Sequence, residues 1–421
     1  MNKPLRIVHL NASSAGGAYV AAQRLSDALN QLDGVVSNHL VFEGQLGSHK
    51  IWANNWLRKK WAFFLHALEK LDFLRFEKSK SIRFAFSHAF TGVDILKHPE
   101  VQNADVVNLH WVNKGFLSFE SLMNLVGSGK KIVWTCHDVW PFTGGCYHPR
   151  GCNHFTQGCG NCHYLKKPGS DDLSSWVFKR KQSIWGQGQI EFITPSRWLS
   201  DTAIHSSMLQ CPSEKITVIP NGVDVNFFRV PNSTEREASR KAFGIVEDDF
   251  VLMFSAANLT NRAKGFIEFL EVCNKLVESR IKVRAVVIGE KRDQEFTTSV
   301  QLDFLGFVSD SAKLRSAYWA TDMYVTTSHE ENLPTTIMES LSCGVPVSAF
   351  SVGGIPEMIL SGETGILVDP LNTLEMVDKI QQFIYIHKES MEKIRMNCEN
   401  FAKSHYADTV IAKEYCKIYL K

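Results

Sequence analysis

What the 421-residue sequence lacks narrows its class before any motif is read. No uninterrupted apolar run reaches the length needed to cross a bilayer, so no membrane-spanning segment is expected. The opening residues, MNKPLRIVHLNASS, carry no long apolar stretch ahead of a small-residue cleavage site, and they read as a first strand instead of a secretion signal. A cytoplasmic protein is expected, with room for peripheral contact at the cytoplasmic membrane face. Excess charge of one sign is also missing: the net charge is +2, which gives no global polyanion-binding character and no expectation of a nucleic-acid partner. Without a secretion signal the ten cysteines are expected as reduced thiols. Six of them, Cys136, Cys211, Cys273, Cys343, Cys398 and Cys416, are scattered and read mostly as buried small hydrophobes.

What is present fits a soluble two-domain chain: 421 residues exceed the usual single-domain size, and 21% charged with 44% apolar residues is an ordinary globular composition. Short β-branched runs alternate with helical patterns, which is the signature of parallel α/β sheets. The first half holds strands at 5–10, 35–42, 104–110, 131–138, 191–196 and 215–220, and the turn Asn221-Gly222 follows. After a polar stretch at 230–240 the second half holds strands at 251–255, 283–289, 301–306, 323–327, 345–350 and 365–368. Domains at 1–220 and 221–400 with a cleft between them are expected, followed by a helical segment at 401–421 with no strand after it.

The most informative stretch is His329–Pro346, HEENLPTTIMESLSCGVP, preceded by a strand. Pro334 near the start and Gly344 past the end bracket a helix, so free N–H groups and a positive dipole end face the loop. Glu331 and Glu339 flank that anion site; a solvated Glu pair on an ordinary helix is the plain alternative. Arg262 and Lys264 stand at another strand-to-helix junction, where two cations suit a diphosphate. The first strand runs into Gly16-Gly17 and a helix, another turn that exposes N–H groups, although the G-x-G-x-x-G dinucleotide fingerprint is missing. His110 and His137 each end a strand, where ligands collect in open α/β sheets, and His137 is followed by Asp138.

Two further segments stand out. Between Lys50 and Arg83, nine basic residues face only Glu69, Asp72 and Glu77, interleaved with Trp and Phe. Trp61, Phe64, Leu65, Leu68 and Leu71 fall at helical spacing, a pattern that suits an anionic membrane interface or a core-facing helix with a solvated basic side. Cys146, Cys152, Cys159 and Cys162 are separated by five, six and two residues. Four thiolates can enclose a tetrahedral structural zinc, with His148, His154 and His163 as alternative ligands; reduced, packed cysteines are the competing reading.

Taken together, SSAGGAY (13–19), WTCHD (134–138), TPSRWLSD (194–201), VIPNGVDVNFF (218–228), NRAKG (261–265), SHEENLPTTIMESLSCGVPV (328–347) and SVGGIPEMI with GETGILV (351–368) resemble glycosyltransferase family four. The HDVWPFTGGCYH stretch resembles bacterial colanic-acid, capsule and exopolysaccharide transferases in particular. The resemblance implies a GT-B fold: two Rossmann-like α/β domains facing each other across a cleft, with the C-terminal helix crossing back to the N-terminal one. It implies a retaining transferase that moves a sugar from a nucleotide-diphosphate sugar to a saccharide or glycolipid acceptor, with no cofactor for catalysis. By position, Glu331 would face the donor hexose, Glu339 the ribose hydroxyls, and the backbone N–H groups around Pro334, from Leu333 to Thr335, would meet the diphosphate at the helix start. Arg262 and Lys264 would neutralise the leaving diphosphate, Gly16 and Gly17 would approach the phosphates, and His137 would sit by the transferred sugar. Another GT-B enzyme (a nucleotide-sugar epimerase or a phosphorylase), a non-catalytic sugar-nucleotide-binding relative, and a zinc-dependent nucleic-acid-binding protein are the rival readings.

Overall fold

The computed structural model describes residues 3–45, 47–187, 190–209, 216–246, 249–292, 294–386 and 390–421, apart from the Ser81 side chain. Cys211 and the first residue of the strand expected at 215–220 lie outside the described residues. The chain divides into one unit of residues 1–221 with 409–421 and a second of residues 222–408.

Unit 1 is built on β1 (Leu5–Ser13), β2 (Val35–Glu43), β3 (Lys50–Ile51), β4 (Val106–Leu109), β5 (Lys131–Thr135), β6 (Ile190–Thr194) and β7 (Ile216–Val218). The sheet is parallel throughout, in the order β3-β2-β1-β4-β5-β6-β7. Six strands were legible as apolar runs; β3 is a two-residue edge strand, too short to carry a period. Helices α1 (Gly17–Leu29), α2 (Trp56–Phe73), α3 (Pro99–Gln102), α4 (Phe119–Val126), α5 (Leu173–Trp185) and α6 (Arg197–Ile204) connect the strands. A parallel sheet buried on both faces needs apolar side chains pointing both ways. Accordingly Val107, Ile132, Trp134 and Phe192 enter one core, while their neighbours Val106, Val133 and Ile193 enter another.

Helix α2 starts at an Asn55 cap, whose side chain accepts the Arg58 N–H. It buries Ala62, Leu65, Glu69 and Phe73, one face at helical spacing. Of the stripe read at Trp61, Phe64, Leu65, Leu68 and Leu71, Leu65 is buried, whereas Trp61 and Phe64 are half exposed and Leu71 is exposed.

Unit 2 holds α7 (Ser233–Ala242), β8 (Phe250–Asn258), α8 (Phe266–Glu278), β9 (Val283–Glu290), β10 (Gln301–Gly306), α9 (Ser311–Ala320), β11 (Met323–Thr326), α10 (Thr335–Ser342), β12 (Val347–Phe350), β13 (Gly365–Val368), α11 (Thr373–Ile386) and α12 (Met391–Tyr406). Its sheet is parallel, ordered β10-β9-β8-β11-β12-β13. The last helical pattern breaks at Ala407, where Val223 N–H donates to the Tyr406 carbonyl (2.8 Å) and Asp408 N–H to the Val223 carbonyl (3.1 Å).

The final helix, α13 (Asp408–Leu420), crosses back and covers the second face of the unit 1 sheet with Ile411, Tyr415, Ile418 and Tyr419. Two polar contacts set its register: Asn108 Nδ2 donates to the Tyr419 hydroxyl at 2.8 Å, and the Thr135 and Tyr415 hydroxyls meet at 3.2 Å. Tyr419→Phe therefore leaves the buried Asn108 amide short of a partner and should lower stability by about 1–3 kcal/mol in urea unfolding. An unchanged midpoint would show that this contact does not hold the helix.

Candidate active site

In each sheet the strand order reverses once, between β1 and β4 in unit 1 and between β8 and β11 in unit 2. Loops leaving the carboxyl ends of such neighbouring strands diverge and open a crevice, the usual ligand position in open α/β sheets. In unit 2 the loop after β8 carries Arg262 and Lys264, and the loop after β11 carries Glu331.

Two glycines, one after β8 and one after β12, let neighbouring segments approach the loop after β11. Gly265 has φ +74°, and a methyl group there would overlap the Thr327 carbonyl; Gly353 has φ +55°, and its methyl would overlap the Glu331 carbonyl. Thr327 Oγ1 donates to the Gly265 carbonyl at 2.6 Å, His329 N–H donates to the Ala263 carbonyl at 2.9 Å, and His329 Nε2 lies 3.1 Å from Glu268 Oε1. Held this way, Lys264 Nζ meets Glu331 Oε1 at 2.6 Å, with the lysine about a third exposed and the glutamate more enclosed. Arg262 is exposed, outside that pair. Leu333 is buried and Pro334 precedes α10 with no side-chain cap, so the first turn at Thr335 retains its dipole end for a ligand. Glu339 is 3% exposed, and its Oε2 accepts from the buried Tyr318 hydroxyl at 2.9 Å.

In unit 1, Gly16 (φ +92°) caps α1 without a side-chain hydrogen bond, and the space beside Gly16 and Gly17 is open. Across the sheet edge runs a chain of imidazoles. His9 Nδ1 lies 2.9 Å from His110 Nε2, and His110 Nδ1 lies 2.9 Å from His137 Nε2. Burial lowers His9 to about 3, His137 to about 4 and His110 well below the ordinary imidazole value, so all three are neutral at pH 7. Asp138 Oδ1 accepts the Trp140 N–H at 2.8 Å, while burial raises its carboxyl to about 7.

Cys146, Cys152, Cys159 and Cys162 line one small pocket together with His154 and His163. Gly144 N–H points at Cys159 Sγ, 3.1 Å away, and burial pushes Cys159 up to about 12 and Cys162 to about 11. Among the described residues no three His, Cys, Asp or Glu side chains form a closed metal-binding set. Lys181 is fully buried nearby, its ammonium 3.5 Å from the Trp140 ring centroid and donating to the Thr143 carbonyl at 2.9 Å. Burial lowers it to about 7.

Several partners were invisible in the sequence. Tyr318 lies 21 residues from Glu339 and reads as an ordinary apolar helix position. His9 lies inside a strand, where only the sheet order reveals that it faces His110.

The shifts carry a sign. Three imidazoles with lowered pKa bind protons only when unfolded between about pH 4 and 6.5, so stability falls as pH drops through that window. Asp138, with a raised pKa, opposes this, since its stabilising proton is lost as pH rises toward 7. Urea midpoints should fall between pH 7 and pH 5, and more steeply in Asp138→Asn. A midpoint that rises on acidification contradicts neutral imidazoles.

Two family models match in tandem: "Glycosyltransferase Family 4" over residues 66–227 and "Glycosyl transferases group 1" over residues 235–404. An uncharacterized glycosyltransferase of Methanocaldococcus jannaschii is 28% identical over 301 residues, 65% of this chain and 74% of that one. The provisionally named colanic acid biosynthesis glycosyl transferase WcaC of Escherichia coli is 25% identical over 302 residues, 69% of each chain. The Anabaena protein Alr3699/HepE, solved in complex with UDP-glucose, aligns over 98% of this chain and 99% of its own with a TM-score of 0.65 at 16% identity. Two tandem models, one on each side of residue 230, and a matching fold over nearly the full length agree with the resemblance read from the motifs. The chain is a glycosyltransferase with the GT-B fold, related at low identity to bacterial exopolysaccharide and colanic-acid enzymes.

Proposed function

We propose that the protein transfers a sugar, with retention at the anomeric carbon, from a nucleotide-diphosphate sugar to a lipid-linked saccharide in cell-surface polysaccharide synthesis. The observation that carries this reading is the 2.6 Å Lys264–Glu331 pair beside the first turn of α10, at the crossover of the unit 2 sheet. A cation and a helix N-terminus together suit a diphosphate, while the adjacent carboxylate suits sugar hydroxyls. The UDP-glucose complex of Anabaena HepE, which shares the fold, supports a donor of this class.

In the proposed reaction the acceptor hydroxyl oxygen bonds to the anomeric carbon on the face from which the diphosphate leaves. The anomeric C–O bond breaks, its electrons go to the diphosphate oxygen, and that oxygen takes the acceptor proton. Lys264, Arg262 and the N–H groups at Thr335 offset the charge growing on the diphosphate. Glu331 positions the hexose and Glu339, oriented by Tyr318, the ribose. Gly16 and Gly17 take the phosphate-facing role that the resemblance gives them, and the neutral imidazole of His137 hydrogen-bonds the transferred sugar. The half-exposed Trp61 and Phe64 on the basic helix α2 suit peripheral contact with an anionic membrane face.

Glu331→Gln should reduce kcat/KM at least about 100-fold with an unchanged urea midpoint. Lys264→Ala should weaken donor binding about tenfold and also lower kcat. Retained turnover in both variants would remove the assigned roles. Thermal shift with a panel of nucleotide sugars selects the donor, since a bound ligand raises the midpoint. Release of nucleotide diphosphate that depends on acceptor separates a transferase from an epimerase or phosphorylase.

For the cysteine loop we propose a structural zinc held by Cys146, Cys152, Cys159 and Cys162. The support is their shared pocket and the buried Lys181 ammonium, whose charge would offset that of a tetrathiolate site. About one zinc per chain is expected by elemental analysis. Metal-free protein with the same thermal midpoint would overturn the assignment.

A further inference from the structure

A second pocket of unit 1, with about 390 Å³ of empty space open to solvent, lies between α2 and the segments around residues 84 and 111. Its walls carry an uneven charge. Glu69 is buried and already engaged, accepting the Ser87 hydroxyl at 2.5 Å and the Gly115 N–H at 2.9 Å. Arg83 is held by Glu77, and His88 lies 2.8 Å from Asp72 Oδ2.

Two ammonium groups remain, Lys70 and Lys114, and among the described residues neither stands within ion-pair distance of a carboxylate. Each lies over an aromatic ring instead: Lys70 Nζ is 4.6 Å from the Phe84 centroid and Lys114 Nζ 4.9 Å from that of Trp111. Burial acts against both charges, and Lys114 and Arg83 add repulsion at Lys70, while the Glu43 carboxylate, beyond ion-pair distance, offsets part of this at each lysine. The backbone is also committed to this arrangement. Lys114 has φ +58°, a conformation rarely adopted by a residue with a side chain, and Glu69 holds the loop by binding the next N–H.

Converging cations with no directly paired carboxylate, held by a strained loop and lined by aromatic rings, are the features of an anion-binding site. Its surroundings restrict the anion further. Phe84 is 63% exposed and Phe90 56% exposed, and with the half-exposed Trp61 and Phe64 of α2 they add apolar surface on the same part of unit 1. Trp111 also bonds through its side chain to Asp138, next to His137 at the carboxyl edge of the sheet.

We propose that this pocket binds the phosphate or diphosphate group of the acceptor, with Lys70 and Lys114 as its ligands and the exposed aromatic residues taking an attached lipid chain. The inference rests on the transferase reading above, whose donor belongs to unit 2.

Isothermal titration of the full chain, with saturating UDP present to fill the donor site, tests it. Geranyl diphosphate and inorganic pyrophosphate serve as probes and geraniol as the phosphate-free comparison. Saturable binding of a diphosphate, weakened about tenfold in Lys70→Gln and in Lys114→Gln, restored in Lys114→Arg and unchanged in Lys179→Gln, supports the site. Tighter binding of geranyl diphosphate than of pyrophosphate assigns a lipid-linked source, and equal affinities assign the phosphate alone. Absence of saturable diphosphate binding, or undiminished affinity in the Lys70→Gln/Lys114→Gln double variant with a native melting curve, overturns the proposal. The thermal shift given by UDP is read separately. If it persists while diphosphate binding fails, only the pocket assignment falls; if UDP gives no shift, it is the donor reading that falls.

Discussion

A parallel sheet ends all its strands on one edge, and in each unit that constraint decides where chemistry can occur. Side chains that leave the carboxyl ends are released together from the continuous apolar run of the strands, so polar groups need not enter the core. In unit 2 the reversal between β8 and β11 brings Lys264 to Glu331 across 67 residues of sequence. In unit 1 the reversal between β1 and β4 joins His9 to His110, and β5 adds His137.

The two units manage charge in opposite ways. Unit 2 keeps its cation paired in advance, so Lys264 is already oriented and little rotamer freedom is left to lose when a ligand arrives. Unit 1 keeps its imidazoles neutral by burial, and among the described residues it leaves two ammonium groups, Lys70 and Lys114, without a direct ion pair. A paired cation gives orientation, whereas cations without a direct ion pair favour the arrival of an anion.

Most strands could be read from the sequence because runs such as Ile132–Trp134 and Val251–Phe254 are apolar on both faces. The GT-B resemblance rested on motifs spread over both halves, which is why it survived low identity. Legibility failed where contact depends on topology. Nothing local marks Tyr318 as the partner of Glu339, or Gly353 as the position that lets a neighbouring segment reach the Glu331 carbonyl. The break at Ala407 was hidden because a backbone bridge to Val223 causes it, not a proline or glycine. On α2, helical spacing alone left the stripe open to a membrane interface or to the core; Ala62 and Leu65 take packed positions, while Trp61 and Phe64 are half exposed.

The crossing of α13 has a consequence for synthesis. Residues 409–420 leave the ribosome only after the whole of unit 2, so Ile7, Val106, Val133 and Ile193 lack part of their cover for the time needed to make about 190 residues, roughly ten to forty seconds at typical elongation rates. During that interval the earlier-made unit presents an apolar sheet face, suited to holding by a chaperone or to capture of the wrong helix. Unit 1, although first in sequence, is completed last.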